Sequence, residues 1–556
     1  LKQIAEDANS IGNSLSNFEK EIQKHPLFVK FTEDEKNVTN PIVYQINKNR
    51  ETDTLNITLW LQRTWQAEYA LAKHVLRIKN QEITALPIST NPLLNKEQQD
   101  AINMANQSAF SIITGGPGTG KTFTVAQLVM ALQQAQPEDS LVANSRANLA
   151  LAAPTGKAAQ RMQESLQDAI QLAGVDIQLP EAKTIHRLLG IGQGGRPRYH
   201  KDNPLSEDII IVDEASMLGV ELANHLVSAV KADARLILLG DANQLAAVDA
   251  GAVLADLCRL PVLQDVHQCL VESRRFDEKS GIGKLARLIN QAEQERHSTE
   301  RMQAVWQLFQ QDEALKFYHL LDSETSNDVE LEKTKDKIKN SLSNYHNYFK
   351  LTEKYLKKIK KADLIPIKER VDDFNALIES LNQFRILTAG HHGYCGDHQI
   401  NSYLSDQHKS HLKIKLSKST WSWYHGRPVM VLQNNYELGL FNGDIGICLQ
   451  TEQGRLQVFF ENKKQGININ MLSDEMVATA YAMTIHKSQG SEFEHVAISF
   501  DNNNARLLSQ ELIYTAVTRA KKQVSVFSTE SALTRALSTP TKRQTGLGLQ
   551  FATLIK

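Results

Sequence analysis

A glycine-rich segment early in the chain has the residue types that bind the phosphates of a nucleotide. It follows an apolar run at 111–114, fits the pattern G-x-x-x-x-G-K-[ST], and reads Gly115-Gly116-Pro117-Gly118-Thr119-Gly120-Lys121-Thr122. Its glycines allow backbone N–H groups to surround phosphate oxygens, and a following helix would add its positive N-terminal end. Lys121 would contact the β- and γ-phosphates, and Thr122 would ligate Mg²⁺. The segment therefore predicts ATP and Mg²⁺ as cofactors.

Two adjacent acids, Asp213 and Glu214, end a second apolar run at 209–212. Asp213 can hold the magnesium shell, and Glu214 can polarise a water molecule for attack on the γ-phosphate. A strand that ends in Asp-Glu is common by itself. In a chain that also carries a phosphate loop, it favours an ATPase.

Hydrolysis also needs positive charge beside the γ-phosphate, where negative charge develops. Arg275, in the segment 270–276, and Arg519, in the segment 514–520, are the candidates for arginine fingers. Arginines are also common surface charges, and the residue pattern alone leaves that alternative open for both.

Apolar runs that alternate with helix-like stretches supply the scaffold for these residues. Such runs indicate buried parallel strands in an α/β sheet. They lie at 111–114, 149–153, 209–212 and 236–239, and again at 384–388, 495–499 and 523–527. Residues 1–90 have the apolar spacing of helices, and 410–475 is a β-like, turn-rich insertion. The pattern predicts two parallel sheets separated by smaller units.

The composition is that of a globular chain, with 41% hydrophobic and 22% charged residues and a net charge of −1. A balanced charge neither requires nor excludes nucleic acid, which needs only a local basic track. No apolar run approaches the ~20 residues that cross a bilayer. We therefore expect a cytoplasmic protein with no membrane partner. The cysteines are far apart and predict reduced thiols rather than a zinc or iron–sulfur site: Cys258, Cys269, Cys395 and Cys448.

A lysine-rich segment at 333–361 has ten lysines and two acids, interleaved with aromatic residues. Ile338, Leu342, Tyr345 and Phe349 fall on one helical face. The simpler interpretation is a solvated helix with a buried aromatic stripe. A surface for DNA or for a partner protein is the alternative.

The order of the motifs resembles that of superfamily 1B helicases, and most closely the RecD type. The resemblance runs from Gln98 to Lys521 and adds the segments 95–101, 153–159, 184–190, 240–245 and 481–493. It implies that Gln98 reads adenine, that Gln244 senses the γ-phosphate, and that Arg275 and Arg519 are the arginine fingers. It also implies DNA contacts at Pro154, Thr155, Thr184, His186, Thr484 and His486.

Two features favour RecD over other 1B helicases. The segment 426–446 alternates between turns and resembles the SH3-like insertion of RecD-type enzymes. In addition, only a short region precedes Gln98, without the helix-hairpin-helix modules of free-standing RecD-like helicases. By resemblance, this region would dock on a RecC-like subunit in a heterotrimer with a RecB-like subunit.

The resemblance implies an α/β fold class, with two RecA-like parallel-sheet motor domains, an SH3-like β insertion and a small helical N-terminal domain. The predicted divisions are 1–90 for the N-terminal docking domain, 91–262 for the first motor domain, 263–409 with 476–556 for the second, and 410–475 for the insertion.

The implied function is an ATP-dependent 5′→3′ single-stranded DNA translocase and helicase. It would be the RecD subunit of a RecBCD helicase–nuclease, acting on duplex ends in DNA repair and recombination. Two alternatives stay open. One is a standalone RecD-like helicase, and the other is an ATP-switched DNA-binding subunit without processive unwinding.

A histidine-rich turn gives a further alternative. His391, His392, Cys395 and His398 have a spacing that could hold a metal ion, although no role in the family supports it.

Lys121→Gln is expected to abolish ATP hydrolysis with the fold intact, because only the charge that faces the phosphates is lost. Phosphate release stimulated by DNA measures the effect, and circular dichroism controls for folding. Near-normal turnover in this variant contradicts the assignment of the phosphate loop.

Overall fold

A computed structural model of the chain describes most of its length. The described residues are 22, 24–31, 40–48, 55–88, 91–134, 147–175, 177–192, 194–246, 251–272, 280–290, 298–320, 342–361, 367–414, 422–435, 437–461, 463, 465–539 and 545–555.

The N-terminal part corrects the expectation of a small helical domain, because its described residues also include a β-sheet. Three strands form this sheet in the order β1-β2-β3: β1 (Phe28–Lys30), β2 (Ile42–Lys48) and β3 (Leu55–Leu61). Apolar and polar residues alternate from Leu55 to Leu59 with the period of two that suits a strand, before the apolar run Leu59-Trp60-Leu61 ends β3. Helix α1 (Gln62–Lys79) follows as expected, with Trp65, Leu71 and Val75 fully buried.

The first lobe is a parallel sheet of six strands in the order β6-β5-β7-β8-β4-β9. Every residue of β4, β7 and β8 is buried, as expected for strands that helices cover on both faces. The elements are, in chain order, α2 (Lys96–Gln107), β4 (Phe110–Gly115), α3 (Lys121–Gln134), β5 (Leu149–Ala153), α4 (Gly156–Leu172), β6 (Lys183–Thr184), α5 (Ile185–Leu188), β7 (Ile209–Val212), α6 (Val220–Ser228), β8 (Arg235–Gly240), α7 (Val253–Arg259) and β9 (His267–Leu270).

The second lobe begins with elements that precede, include and follow the lysine-rich segment in the chain. They are α8 (Gly281–Asn290), α9 (Ser298–Gln311), β10 (Leu315–His319), α10 (His346–Lys361), α11 (Ile367–Asn382), β11 (Phe384–Thr388) and α12 (Asp397–His411). Tyr345, Tyr348 and Phe349 are buried, whereas Lys350 and Lys354 are exposed. The described part of the segment is therefore a solvated helix with a buried aromatic stripe. Residues 333–341, including Ile338, lie outside the described residues.

The turn-rich insertion is an antiparallel sheet in the order β15-β14-β13-β12-β16. Its strands are β12 (Pro428–Val431), β13 (Ile445–Gln450), β14 (Leu456–Phe460), β15 (Ile467–Asn468) and β16 (Val477–Thr479). Its own core includes Val429, Val431 and Phe460. The sheet extends just past the predicted end at residue 475, because β16 pairs with β12 before the chain returns to the second lobe.

The returning chain completes a parallel sheet in the order β10-β19-β18-β11-β17. The remaining elements are β17 (Ala482–Thr484), β18 (Phe493–Ser499), α13 (Gln510–Val517), β19 (Ala520–Ser528), α14 (Glu530–Ser538) and α15 (Leu547–Leu554). The seven strands predicted from apolar runs are confirmed, and both parallel sheets are present. The division into domains at the predicted residues stays a prediction.

None of the described helices is both long enough and apolar enough to cross a bilayer.

The last helix, α15, packs on α1 at the start of the chain. Glu68 anchors this contact and is only 2% exposed. Its Oε2 accepts hydrogen bonds from Trp60 Nε1 at 3.0 Å and from the Gly546 backbone N–H at 2.9 Å. Burial raises the pKa of Glu68 to about 7, although both hydrogen bonds act against the rise.

Glu68→Gln is expected to stabilise the fold at pH 8 by up to about 3 kcal/mol, because glutamine keeps the acceptor oxygen and carries no charge. The pKa of Glu68 is higher in the folded chain than its ordinary 4.5. Its contribution to stability is therefore present below pH 4.5 and is lost as the pH rises through about 7. Unfolding curves at pH 5 and pH 8 measure the difference. A wild-type chain that is the more stable one at pH 8 contradicts the expectation.

Candidate functional site

The glycine-rich segment forms a loop between β4 and α3 at the carboxyl edge of the first sheet. Gly118 and Gly120 both have a φ of 81°, a conformation that favours glycine. A Cβ at Gly120 would lie 2.6 Å from Gln98 Nε2, so a larger residue there would strain the backbone and displace the Gln98 amide. Thr119 closes the loop, because its hydroxyl donates to the Gly116 carbonyl at 2.9 Å. The loop has the shape expected of a phosphate cradle.

The Lys121 ammonium lies inside this loop. It donates to the carbonyls of Gly115 and Gly116, the latter at 2.9 Å. Its charge also lowers the pKa of Asp213, so the two groups share the same region of the cleft. Lys121 is thus held at the position where the β- and γ-phosphates are expected.

Asp213 and Glu214 lie at the end of β7, two strands from the phosphate loop. Burial and the Glu214 charge raise the pKa of Asp213 to about 6. Glu214 has a φ of 52°, rare for a residue with a side chain, and its N–H donates to Asp213 Oδ1 at 2.8 Å. A pair of adjacent, half-buried acids is what a divalent cation would stabilise. Thr122 and Asp213 supply the hard oxygen ligands that Mg²⁺ prefers, so the site fits the ion.

Strand β8 lies between β4 and β7 and delivers Asp241 and Gln244 to the same edge. Gln244 is 7% exposed, and its Nε2 donates to Asp241 Oδ2 at 3.2 Å. Its Oε1 is buried and has no hydrogen-bond partner among the residues that the structure describes. An unsatisfied buried acceptor at this place is consistent with a group that contacts nucleotide or water.

The second lobe closes the cleft through α13. The Tyr514 hydroxyl donates to Asp241 Oδ2 at 3.0 Å and lies 3.1 Å from where a Cβ at Gly116 would be. Thr515 Oγ1 accepts from the Leu245 N–H at 2.8 Å, and Gln489 Nε2 donates to the Leu245 carbonyl at 2.6 Å. The phosphate loop is therefore bordered by both lobes.

Arg519 follows α13 directly and is 4% exposed. Its guanidinium donates to the carbonyls of Thr515 at 3.2 Å and Ser491 at 3.4 Å. Arg161 interacts electrostatically with Arg519 and with Glu214. Burial lowers the pKa of Arg161. A direct relation between Arg519 and the Asp213–Glu214 pair stays a prediction. Arg275 lies outside the described residues, so its role as a second finger stays a prediction.

Gln98 is buried beside the loop, as part of the cap of α2. Its Oε1 accepts from the Asn95 N–H at 3.2 Å, and the Asn95 side chain accepts from the Gln98 N–H at 2.9 Å. Its Nε2 faces the Thr119 carbonyl at 3.5 Å. Both ends of the amide therefore contact backbone, and adenine reading stays a prediction that requires an exchange of these contacts.

The predicted DNA contacts lie at the carboxyl ends of strands in both sheets. Pro154 and Thr155 follow β5, and Thr155 caps α4 by accepting from the Ala158 N–H at 3.2 Å. A helix N-terminus positioned in this way suits a phosphate. Thr184 ends β6, and Thr484 ends β17.

These contact residues differ in exposure. Thr184 and Thr484 are each 5% exposed, whereas His186 is exposed and His486 is half-buried. A DNA strand would therefore reach the two histidines first. Their roles in DNA binding stay predictions.

Two further cations near this surface were not predicted from the sequence. Lys157 and Arg161 are one turn apart on α4 and line a cavity of about 1040 Å³ that α11 and the antiparallel sheet complete. Burial, followed by the charge of Arg161, lowers the pKa of Lys157 to about 8. Like charges four residues apart weaken an isolated helix. The spacing of Lys157 and Arg161 was therefore the one feature of the sequence that could have pointed to a role for this pair.

The histidine-rich turn brings together two of the four residues noted in the sequence, His391 and His398, and adds Asp397, which was not predicted. Ligand atoms of His391, Asp397 and His398 lie within 4.8 Å of one another. His391 Nδ1 lies 2.9 Å from Asp397 Oδ1, which already gives the carboxylate a partner. Cys395 is buried, and its neighbours are Ser499 and Asp501 instead.

Comparison with known proteins identifies three family models that match this chain. An AAA domain matches residues 98–250, a UvrD-like helicase C-terminal domain matches 479–527, and the ATP-dependent RecD-like DNA helicase SH3 domain matches 398–460. The last match includes β12, β13 and β14 of the antiparallel sheet.

Relatives of known name cover most of the chain. RecBCD enzyme subunit RecD of Haemophilus influenzae is 32% identical, over 93% of this chain and 82% of the relative. The subunit of the same name in Mycolicibacterium smegmatis is 34% identical, over 88% and 81%. The ATP-dependent RecD2 DNA helicase of Deinococcus radiodurans is 26% identical, over 81% of this chain and 50% of the relative. Among solved structures, a Bacteroides Pif1 helicase with ADP-AlF3 and single-stranded DNA aligns at a TM-score of 0.41 and 16% identity, over 84% of this chain and 97% of that chain.

Arg519→Ala is expected to lower the rate of ATP hydrolysis by roughly 10³-fold or more while nucleotide affinity changes little, because a finger acts on charge that develops in the transition state. Steady-state turnover and equilibrium nucleotide binding measure the two quantities. Arg301→Ala is the matched control, since Arg301 is also a buried arginine bound to a backbone carbonyl of the second lobe, that of Leu537. Equal losses of binding and turnover in Arg519→Ala argue against the finger.

Proposed function

This chain belongs to the RecD family and is a DNA helicase that uses a nucleotide; we propose that it hydrolyses ATP with Mg²⁺ to move 5′→3′ along single-stranded DNA. In this proposal it is the RecD subunit of a complex with RecB-like and RecC-like partners. The 5′→3′ direction of movement and the membership of a complex are proposed in addition to the helicase activity. The names of the Haemophilus and Mycolicibacterium relatives support membership of such a complex.

The observation that carries the proposal is the contact between the lobes at the phosphate loop. Tyr514 of the second lobe reaches both Asp241 and the vicinity of Gly116. A nucleotide bound to the loop would therefore lie where the two lobes meet. Its γ-phosphate can then favour a closed arrangement, and its loss can favour an open one, through differential contacts.

The residues of the cleft divide the work of hydrolysis. Thr122 and Asp213 would hold Mg²⁺, which neutralises charge on the phosphates. Lys121 positions the β- and γ-phosphates, and Glu214 polarises the attacking water. Arg519 stabilises the charge that develops on the transferred group.

Movement on DNA follows from the placement of the DNA contacts on both lobes. Thr155 and His186 belong to the first lobe, and Thr484 and His486 belong to the second. Because these contacts address phosphates and base faces, they hold any sequence. Each cycle of closing and opening would change the distance between the two sets, and the strand would advance through the protein.

The N-terminal sheet supports a docking role. Leu61 is 63% exposed, Leu59 is 38% exposed and Leu27 is 48% exposed, and exposed apolar residues of this kind suit a protein interface. We assign this surface to the RecC-like partner and the whole complex to the cytoplasm.

Unwinding is expected on duplexes with a 5′ single-stranded overhang and not on matched duplexes with a 3′ overhang, because the motor loads on the exposed strand and moves toward its 3′ end. Strand displacement with ATP and Mg²⁺ measures it, with Lys121→Gln as the inactive control. The assay is carried out with the chain alone and with RecB-like and RecC-like subunits.

The outcomes separate the alternatives. Unwinding from the 3′ overhang contradicts the assigned direction. Full activity of the chain alone, without association on gel filtration, indicates a standalone helicase. DNA-stimulated hydrolysis without strand displacement in either case indicates an ATP-switched binding subunit.

A further inference from the structure

Asp241, at the carboxyl end of β8, accepts hydrogen bonds from residues of both lobes. Its Oδ2 accepts hydrogen bonds from the Tyr514 hydroxyl at 3.0 Å and from Gln244 Nε2 at 3.2 Å. Its Oδ1 accepts from the Asn243 N–H at 3.0 Å. Asp241 is 2% exposed, so this carboxylate depends on its donors for the stabilisation that water would otherwise give. One of these donors, Tyr514, comes from the second lobe.

The residues after Asp241 are also held by the second lobe. The Leu245 N–H donates to Thr515 Oγ1 at 2.8 Å, and the Leu245 carbonyl accepts from Gln489 Nε2 at 2.6 Å. Three side chains of the second lobe therefore bind one short segment, 241–245. Gln244, the predicted γ-phosphate sensor, lies inside that segment.

Tyr514 is rigidly connected to Arg519. The Thr518 N–H donates to the Tyr514 carbonyl at 3.0 Å, and the Arg519 N–H donates to the Ala516 carbonyl at 3.2 Å. The Arg519 guanidinium itself donates to the Thr515 carbonyl. A shift of the Tyr514 side chain relative to Asp241 would consequently move the backbone that carries Arg519.

The Tyr514 hydroxyl stays protonated and can therefore donate a hydrogen bond. Burial and the neighbouring Asp241 raise the pKa of Tyr514 well above its ordinary value, so the hydroxyl keeps its proton. The residue is 4% exposed, and its hydroxyl lies above Gly116 of the phosphate loop. Tyrosine thus supplies a neutral donor that reaches the first lobe without adding charge beside the phosphates.

We propose that Tyr514 is a positioning residue for ATP hydrolysis, which places Arg519 over the phosphate loop by bonding to Asp241. The hydrogen bond joins the helix that carries the arginine to the segment that carries Gln244. A change at the γ-phosphate that displaces Gln244 from Asp241 would therefore be transmitted directly to α13. The proposal rests on the proposed function, because it assumes that Arg519 acts at the transition state.

Tyr514→Phe tests this role, since phenylalanine fills the same space and lacks only the hydroxyl, which bonds to Asp241 and also to the Asn290 side chain. We expect kcat for DNA-stimulated hydrolysis to fall about tenfold, the size of effect that loss of one buried hydrogen bond produces. KM for ATP and ADP affinity are expected to stay unchanged. The affinity for ADP with aluminium fluoride, a mimic of the transition state, is expected to fall by the same factor as kcat.

Tyr348→Phe is the matched control. Tyr348 is also a buried tyrosine of the second lobe, and its hydroxyl donates to the Gly426 carbonyl at 2.8 Å, away from the phosphate loop. This variant is expected to lose similar thermal stability and to keep wild-type kcat. If both variants lower kcat equally, or if Tyr514→Phe raises KM and weakens ADP binding as much as it lowers kcat, the positioning role is wrong.

A double-mutant cycle with Asp241→Asn tests whether the two residues act through one bond. The double variant Tyr514→Phe/Asp241→Asn is expected to be no slower than the slower single variant, whereas multiplied losses contradict a shared bond. Lys121→Gln separates this outcome from failure of the proposed function. If Lys121→Gln abolishes turnover while Tyr514→Phe leaves it unchanged, the function stands and the positioning role falls. If wild-type protein shows no DNA-stimulated turnover, the proposed function itself falls.

Discussion

The phosphate loop lies where two parallel sheets meet, and this placement sets the conditions for everything else in the molecule. Carboxyl ends of parallel strands share one edge of a sheet, so β4, β8 and β7 bring Lys121, Asp241 and Asp213 to one cleft. The second sheet approaches the same edge through α13. Because the cleft is walled by protein, charges within it interact more strongly than they would in water. A chemical event at one phosphate can therefore change how two lobes contact each other.

Placing acidic groups close together in this cleft is electrostatically unfavourable, and nearby positive charge offsets part of the repulsion. Asp213 and Glu214 are adjacent and half-buried, and burial and repulsion together raise the pKa of Asp213 to about 6. The Lys121 charge acts in the opposite direction, and a bound Mg²⁺ would do so more strongly. Glu214 also adopts a left-handed backbone conformation at the end of β7. Strain and unfavourable charge thus coincide at the residues assigned to the chemistry, as is common at functional sites.

Local patterns in the sequence predicted the elements that carry the motifs, because a buried parallel strand followed by glycine or acids has a signature within a few residues. The strands at 111–114 and 209–212 were predicted in this way, and the β-like insertion was predicted from its alternation between turns. The N-terminal sheet was missed because the helix-like spacing around Trp65 dominated the interpretation of the first 90 residues. The contact of Tyr514 with Asp241 could not be predicted at all, since the partners are 273 positions apart and neither residue type specifies the other. The cavity that encloses Lys157 and Arg161 could not be predicted for the same reason, because its other walls come from distant parts of the chain.

Catalysis in this molecule depends on Arg519 completing a site that is built on the other lobe. A crystal structure of the full chain with single-stranded DNA, Mg²⁺ and ADP–aluminium fluoride is the decisive measurement. We expect the Arg519 guanidinium within hydrogen-bonding distance of the fluoride ligands, with Lys121 and Glu214 on the same group. An Arg519 side chain that stays on the carbonyls of Thr515 and Ser491, with no contact to the nucleotide, would contradict it.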